Sequence, residues 1–207
     1  ETGVLIAYGS NNNKVQGNII GLGVDGVRGV AMAGAVLTVN NGESIQAAVG
    51  KAKPGDTIRI MPGLYKETVY IDKDNIAIVG VIDKGAWPVM DGERKLNDAI
   101  LYSGSGIRIE NMKIVHYKGN AIMGQAGNNF IIRYNWIVDT GVYGIFPQFG
   151  KNGVVTHNVA FGSEDAAIYV GMSDNVDVVH NQTYASIIGI ESENSHGVEV
   201  SAFVGPS

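Results

Sequence analysis

Cysteine is absent from this sequence, and charged residues are scarce. The lack of cysteine excludes disulfide bonds, thiolate metal sites and cysteine nucleophiles. Charged residues make up only 17% of the chain, and Lys and Arg are scattered, so the basic patch of a nucleic-acid-binding protein is missing. No apolar run reaches the ~18 residues of a transmembrane helix, so we expect no membrane insertion. The chain starts at Glu1 with neither an initiator Met nor a signal peptide, which favours a secreted, cell-surface or periplasmic location.

Glycine and hydrophobic residues are abundant instead. The chain has 29 glycines among 207 residues, and 45% of its residues are hydrophobic. Glycine supplies the positive-φ positions that tight turns need, so this composition favours an all-β protein with many turns.

An internal repeat of about 23 residues dominates the second half of the sequence. Three columns of identical residues share this period between residues 129 and 195. Such periodicity is the signature of a solenoid. The columns are Asn135, Asn158 and Asn181; Asn129, Asn152 and Asn175; and Ile145, Ile168 and Ile190.

A coil of 22–24 residues with three short strands predicts a parallel β-helix, in which equivalent residues stack at about 4.8 Å along the axis. Side-chain amides stacked at a corner can bond from coil to coil, so we predict an asparagine ladder. It would also include Asn111, which lies 24 residues before Asn135, and Asn12 and Asn18, which share the six-residue spacing.

The amino-terminal part departs from the regular array. Apolar residues at helical spacing predict a short capping helix near 43–53. We therefore divide the chain into a coil-like segment, 1–34, and a β-helix, 35–207. The first segment lies on the outer side of the cap. We expect it to complete the open end of a β-helix, either its own or that of a neighbouring copy. The second arrangement would build head-to-tail filaments. Alternatively, the chain is a fragment of a longer β-helix.

The segments SIQAAVGKAKPGDTIRIMPGLYKETVYIDKDNIAIVG and DAAIYVGMSDNVDVVHN resemble the pectate-lyase-like superfamily of right-handed parallel β-helices. The similarity is closer to its NosD-type proteins and its carbohydrate-binding and sugar-hydrolase repeat domains. It covers about residues 43–200 and implies the fold. The superfamily includes lyases, hydrolases, epimerases and adhesins, so the resemblance implies no single activity.

No catalytic set is assigned, because the hydrolase and epimerase motifs of that superfamily are absent as sets. The candidate ligand-binding residues are an acidic group with an outward-facing aromatic pair. Their oxygens suit Ca²⁺, and their rings suit a sugar or a protein partner. Solvated strand ends are the alternative for the acids. The candidates are Glu164, Asp165, Glu191 and Glu193 with Phe146 and Tyr169.

Two histidines also share a column. His157 and His180 directly precede the Asn ladder, with Tyr134 one coil back and Glu110 two coils back. Two stacked imidazoles suit Zn²⁺ or Cu²⁺, although exposed corner histidines are the alternative.

We therefore favour a structural or binding β-solenoid that assembles with itself. A polysaccharide-binding module or a polysaccharide-lyase-like enzyme is the alternative. The coils contain few insertions that would frame a substrate groove, and this disfavours the enzyme.

Overall fold

Residues 34–204 form a parallel β-helix in the computed structural model, which describes these residues, with side chains up to Ser201. The chain winds through about seven turns and contains one short helix. The predicted all-β solenoid is therefore confirmed. Residues 1–33, with Asn12 and Asn18, lie outside the described residues, so the role of segment 1–34 stays a prediction.

Three flat faces run along the solenoid axis, and all pairings between their strands are parallel. Face 1 contains β1 (Val36–Val39), β2 (Thr57–Ile60), β5 (Ala77–Gly80), β8 (Arg108–Glu110), β11 (Ile131–Arg133), β14 (Lys151–Thr156) and the first half of β17 (Asp174–Tyr184). Face 2 contains β3 (Gly63–Tyr65), β6 (Pro88–Asp91), β9 (Lys113–Val115), β12 (Trp136–Val138), β15 (Val159–Phe161) and the second half of β17. Face 3 contains β4 (Val69–Ile71), β7 (Ile100–Tyr102), β10 (Ile122–Gly124), β13 (Ile145–Pro147), β16 (Ala166–Gly171) and β18 (Ile188–Glu193). A last strand, β19 (Glu199–Val204), pairs with β17.

The core is a set of apolar columns, one side chain per coil. Strand alternation sends every second residue inward, and burying such a side chain stabilises the fold by roughly 1.5–3 kcal/mol. On face 1, one fully buried column consists of Ile58, Ile78, Ile109, Ile132, Val155 and Val178.

The helix α1 (Ile45–Lys51) lies at the predicted position and buries Ile45, Ala48 and Val49. Charged side chains of the next coil bond both of its ends. At the start, the carboxylate of Glu67 accepts hydrogen bonds from the amides of Ile45 and Gln46 and from the Ser44 hydroxyl. At the end, the Lys73 ammonium donates to the carbonyls of residues 49, 50 and 52. Each charge opposes the helix dipole.

The asparagines separate into two columns with different physical roles. Asn135, Asn158 and Asn181 are buried, and the side-chain oxygen of each later residue accepts bonds from the backbone and side-chain nitrogens of the earlier one. Met112, rather than Asn111, occupies the equivalent position one coil back, since its amide donates to Asn135. The placement of Asn111 in this column was therefore wrong by one residue.

The second column consists of corner residues in the left-handed conformation. Asn129, Asn152 and Asn175 have φ values of 58°, 56° and 54°, and their side chains are exposed. Gly106 takes the same conformation one coil earlier. Asparagine tolerates this conformation better than most residues, which explains its recurrence here. One side-chain bond links the column, from Asn175 to Asn152 at 3.3 Å.

Within residues 34–204, no helix has the length and apolar character needed to cross a membrane.

Candidate functional site

The aromatic pair predicted on face 3 is closed rather than open to solvent. Phe146 and Tyr169 do point outward, but they are only 8% and 7% exposed. With Tyr143 they form a group that we call the closed cluster, whose ring centroids lie 4.7–4.9 Å apart. Met123 and Ile188 pack against the group. The rings therefore face outward as predicted, but they cover one another and leave little surface for a ligand.

Three of the four predicted carboxylates, those of Asp165, Glu191 and Glu193, lie beside this cluster. Glu191 pairs with Tyr169, and Glu193 pairs with Gly171. The Tyr169 hydroxyl donates a hydrogen bond to the Glu193 carboxylate, which, with burial, raises the pKa of Tyr169. Burial, together with Asp165 and Glu193, raises the pKa of Glu191. The exposed Glu164 bonds through its backbone amide to Thr140 at the preceding corner.

These acids give the closed cluster a negative edge. Burial and the charges of Asp165, Glu191 and Glu193 also raise the pKa of Tyr143. In the described part of the chain, no three His, Asp or Glu side chains are grouped so as to hold a metal ion. The closed cluster is thus a group of packed aromatic rings beside several carboxylates, and little ring surface is free for a ligand.

Tyr134, His157 and His180 form a stack at the corner between faces 1 and 2. The His157 ring lies 5.0 Å from the His180 ring and 5.2 Å from the Tyr134 ring. Glu110 does not belong to this column, because its strand position pairs with Arg133 and its carboxylate bonds the Arg133 guanidinium at 2.7 Å.

Aromatic rings that are exposed, or only partly buried, lie instead on face 2. We call them the open strip, and they follow the solenoid axis. Trp136 is 38% exposed and packs edge-to-face on two other rings, with centroids 6.4 Å apart in each case. Phe161 and Tyr184 stack at 4.9 Å. The members of the open strip are Trp87, Trp136, Phe161 and Tyr184.

Strand alternation explains why these rings point outward. The residues between them, Ile137, Ala160 and Thr183, are completely buried. Phe161 pairs in register with Val138 and Tyr184. Val115 occupies this outward column one coil before Val138.

A rim of polar side chains runs along one side of the open strip. The Arg94 guanidinium donates a hydrogen bond of 2.5 Å to Asp139. His116 lies between two carboxylates, with Nδ1 3.1 Å from Asp91 and Nε2 4.0 Å from Asp139. Asp91 lies in the same outward column as Phe161 but three coils away. Asp139 is next to the strip, because its amide donates a 3.0 Å hydrogen bond to the Phe161 carbonyl.

A family model described as the right-handed beta helix region matches residues 92–201, which is 110 of the 207 residues. The chain belongs to the right-handed β-helix family. The match spans the regular coils, including Trp136, Phe161 and Tyr184 of the open strip. No curated protein matches the chain.

Two solved structures are similar to this β-helix protein at low identity. One is a mutant of pectin methylesterase in complex with a hexasaccharide, with 14% identity and a TM-score of 0.45 over 76% of this chain. The other is the A-module of a mannuronan C-5 epimerase from Azotobacter vinelandii, with 13% identity and a TM-score of 0.42 over 84% of this chain. The β-helix protein covers 66% of the length of each.

The open strip of this β-helix protein was missed in the sequence for two reasons. Trp87 directly precedes β6 and lies outside the regular repeat in the second half of the sequence. The other rings sit in strands of only three residues, or at the end of β17. The triplets WIV, VAF and QTY could have revealed the strip. In each triplet the middle residue is small or apolar and points inward, and one end residue is an aromatic ring that points outward.

Proposed function

We propose that this protein is a binding β-solenoid that holds a neutral polysaccharide along the open strip of face 2. The observation that carries the proposal is the exposed Trp136 within a row of aromatic rings that follows the axis. Exposed apolar patches with polar borders mark interaction sites. A polysaccharide is itself an extended chain of rings, so a linear row of aromatic side chains suits it in shape.

The chemistry of the strip suits a sugar. The C–H face of a pyranose packs on an aromatic ring because both surfaces are apolar. Its hydroxyl groups then need hydrogen-bond partners that are fixed in place. Asp91, Asp139 and Arg94 supply carboxylate and guanidinium groups along the rim. Arg94 holds Asp139, and His116 contacts both carboxylates.

The charge of the surface favours a neutral chain. Arg94 offsets one of the two carboxylates of the rim, so the rim itself is slightly negative, and the whole protein carries a net charge of -5. A polyuronate would be repelled by the protein as a whole and would find no cluster of basic groups on the rim. On face 3 the negative edge around Glu191 disfavours such a chain further.

The test is binding of neutral polysaccharides measured by affinity electrophoresis and calorimetry. We expect wild-type protein to be retarded by at least one neutral polymer, and Trp136→Ala to lose that retardation. Phe149→Ala is the matched control, because Phe149 is an exposed ring, at 55%, on a corner outside the strip. Equal binding by both variants and the wild type would rule out the open strip as the site.

Cleavage of the polysaccharide is a second candidate, because two carboxyl groups of the rim flank one imidazole. Glycoside hydrolysis uses two carboxyl groups on either side of the scissile bond. Incubation with the bound polymer should then release reducing ends that Asp91→Asn abolishes. Release of unsaturated products would instead support the lyase alternative. If the polymer stays intact after long incubation, binding without cleavage is the function that remains.

Self-assembly and an extracellular location remain predictions. The edge strands β1 and β19 of face 1 each pair with one neighbour among the described residues. Such edges are templates for pairing with another chain. Light scattering should show a mass that rises with concentration, and electron microscopy should show filaments. A constant mass of one chain would contradict head-to-tail assembly.

A further inference from the structure

His157 and His180 occupy equivalent positions on adjacent coils, and their backbones match closely. Their φ values are 54° and 58°, both in the left-handed region. Each is followed by a buried asparagine, and the Asn158 amide donates a 2.9 Å hydrogen bond to the side-chain oxygen of Asn181. The buried bonds therefore fix the two histidine backbones one coil apart, while the imidazoles themselves are exposed.

The ring of His157 is held from two further sides. Its Nδ1 lies 2.8 Å from the Thr156 hydroxyl, within hydrogen-bond distance. Tyr134 packs against it at 5.2 Å, on the coil opposite to that of His180. If Nδ1–H donates to the hydroxyl, the Nε2 lone pair faces solvent. A hydrogen bond on one ring nitrogen that leaves the other free is the usual arrangement of a metal-binding histidine.

The two imidazoles are stacked with an interplanar angle of 23° and centroids 5.0 Å apart. Metal–nitrogen bonds of about 2.0–2.1 Å let one ion join nitrogens that lie up to ~4.2 Å apart. Binding of one ion by both nitrogens therefore requires the two exposed rings to tilt toward each other. Imidazole nitrogens suit Cu²⁺, Ni²⁺ and Zn²⁺, and Cu²⁺ is bound most tightly in the usual order.

We propose that His157 and His180 form a two-histidine site for a divalent transition-metal ion, with water in the remaining coordination positions. The site lies at the corner between faces 1 and 2 and does not depend on polysaccharide binding. The backbone spacing set by Asn158 and Asn181 preorganises it, so that one ion binds both rings rather than each ring separately.

The test is titration of the whole protein with Cu²⁺ alone, followed by calorimetry and electron paramagnetic resonance. We expect one strong site per chain whose spectrum shows two equivalent imidazole nitrogens. His157→Asn and His180→Asn should each abolish the strong site. Asparagine tolerates the left-handed backbone at these corners, so both variants should fold. His196→Asn is the control, because His196 is 88% exposed and lies near Asp174 on another corner.

A positioning variant tests the orientation of the ring. Thr156→Val removes the hydroxyl next to His157 Nδ1, and we expect Cu²⁺ binding to weaken roughly tenfold with both nitrogens still bound. The proposal is overturned if the wild-type spectrum shows a single nitrogen, or if His157→Asn retains the strong site. It is also overturned if His196→Asn weakens binding as much as the other two histidine variants do.

Discussion

The closed cluster on face 3 and the open strip on face 2 are built from the same kind of residue on the same repeat, yet they differ in what they offer. In the closed cluster three rings cover one another, so Phe146 and Tyr169 are nearly buried. In the open strip Trp136 meets its neighbours edge-to-face, Phe161 and Tyr184 stack, and Trp136 keeps more than a third of its surface exposed. Aromatic content alone therefore does not identify a binding face. The contacts among the rings decide whether they stabilise the coil or remain free for a ligand.

The largest expected effect is on stability, from the closed cluster. Phe146→Ala should lower the free energy of unfolding by about 3 kcal/mol, because it removes a buried ring from a packed group. Denaturant unfolding measures this change. Tyr70→Ala is the matched control, since Tyr70 lies in the same outward column of face 3 but is 40% exposed.

We expect Tyr70→Ala to cost less than about 1 kcal/mol, and Phe146→Ala to bind polysaccharide as the wild type does below its unfolding transition. A loss of binding in Phe146→Ala with the fold intact would indicate that face 3, rather than face 2, binds the polysaccharide.

The next effect is on binding, from the open strip. Trp136→Ala should weaken polysaccharide binding about thirtyfold, the ~2 kcal/mol of an interface hot spot. The free energy of unfolding should change little, because the ring is substantially exposed. Calorimetric titration of folded protein checks the affinity. A destabilisation as large as that of Phe146→Ala, with unchanged affinity, would show that the strip is structural.

The rim should contribute less than the rings. Arg94→Gln removes the charge that pairs with Asp139, and we expect the affinity to fall about fivefold, or ~1 kcal/mol, the size of one hydrogen bond. Stability should stay unchanged, since exposed ion pairs contribute little. Lys151→Gln is the control, because Lys151 forms a similar exposed pair with Asp174 on face 1. Equal losses from both variants would indicate a general charge effect rather than direct contact.

The smallest effect concerns pH and the negative edge of the closed cluster. Burial and the nearby Asp165 and Glu193 raise the pKa of Glu191 in the folded protein. The native state therefore holds this proton more tightly than the unfolded state does. The contribution of Glu191 to the free energy of unfolding is fully present below the ordinary pKa of a glutamate. It is lost as the pH rises through the raised pKa of Glu191 in the folded protein.

Glu191→Gln removes this charge and should raise the melting temperature slightly at neutral pH. The difference from the wild type should shrink as pH falls toward the ordinary range of a glutamate. Thermal unfolding of both proteins between acidic and neutral pH measures it. A difference that grows toward acidic pH would mean that the folded protein favours the charged form of Glu191.

Periodicity was sufficient to predict the coils and the core, because identical residues at one step define a stack. It could not separate the two asparagine columns, since asparagine serves equally as a buried amide partner, as in Asn158, and as a left-handed corner residue, as in Asn152. The error at Asn111 arose from the same ambiguity. Its spacing of 24 from Asn135, one more than the usual step, was the sign that it belonged to the neighbouring position.

The sites were harder to predict, because outward side chains are set by contacts rather than by register. The register of Glu191 with Tyr169 follows from the repeat, and the two residues are paired in the structure. The burial of Phe146 and Tyr169 depends on Tyr143, which precedes β13 at a corner, outside the repeating columns. Trp87 joins the open strip from the least regular part of the described chain.

Tryptophan fluorescence tests the central claim most directly, because the chain has only two tryptophans and both, Trp87 and Trp136, lie in the open strip. Titration with a neutral polysaccharide should shift the emission in a saturable way, with the same midpoint that calorimetry gives for binding. Trp87→Phe should retain the shift through Trp136, and Phe149→Ala should leave it unchanged. Calorimetric binding with no change in the emission, or no binding of any neutral polysaccharide, would contradict the account.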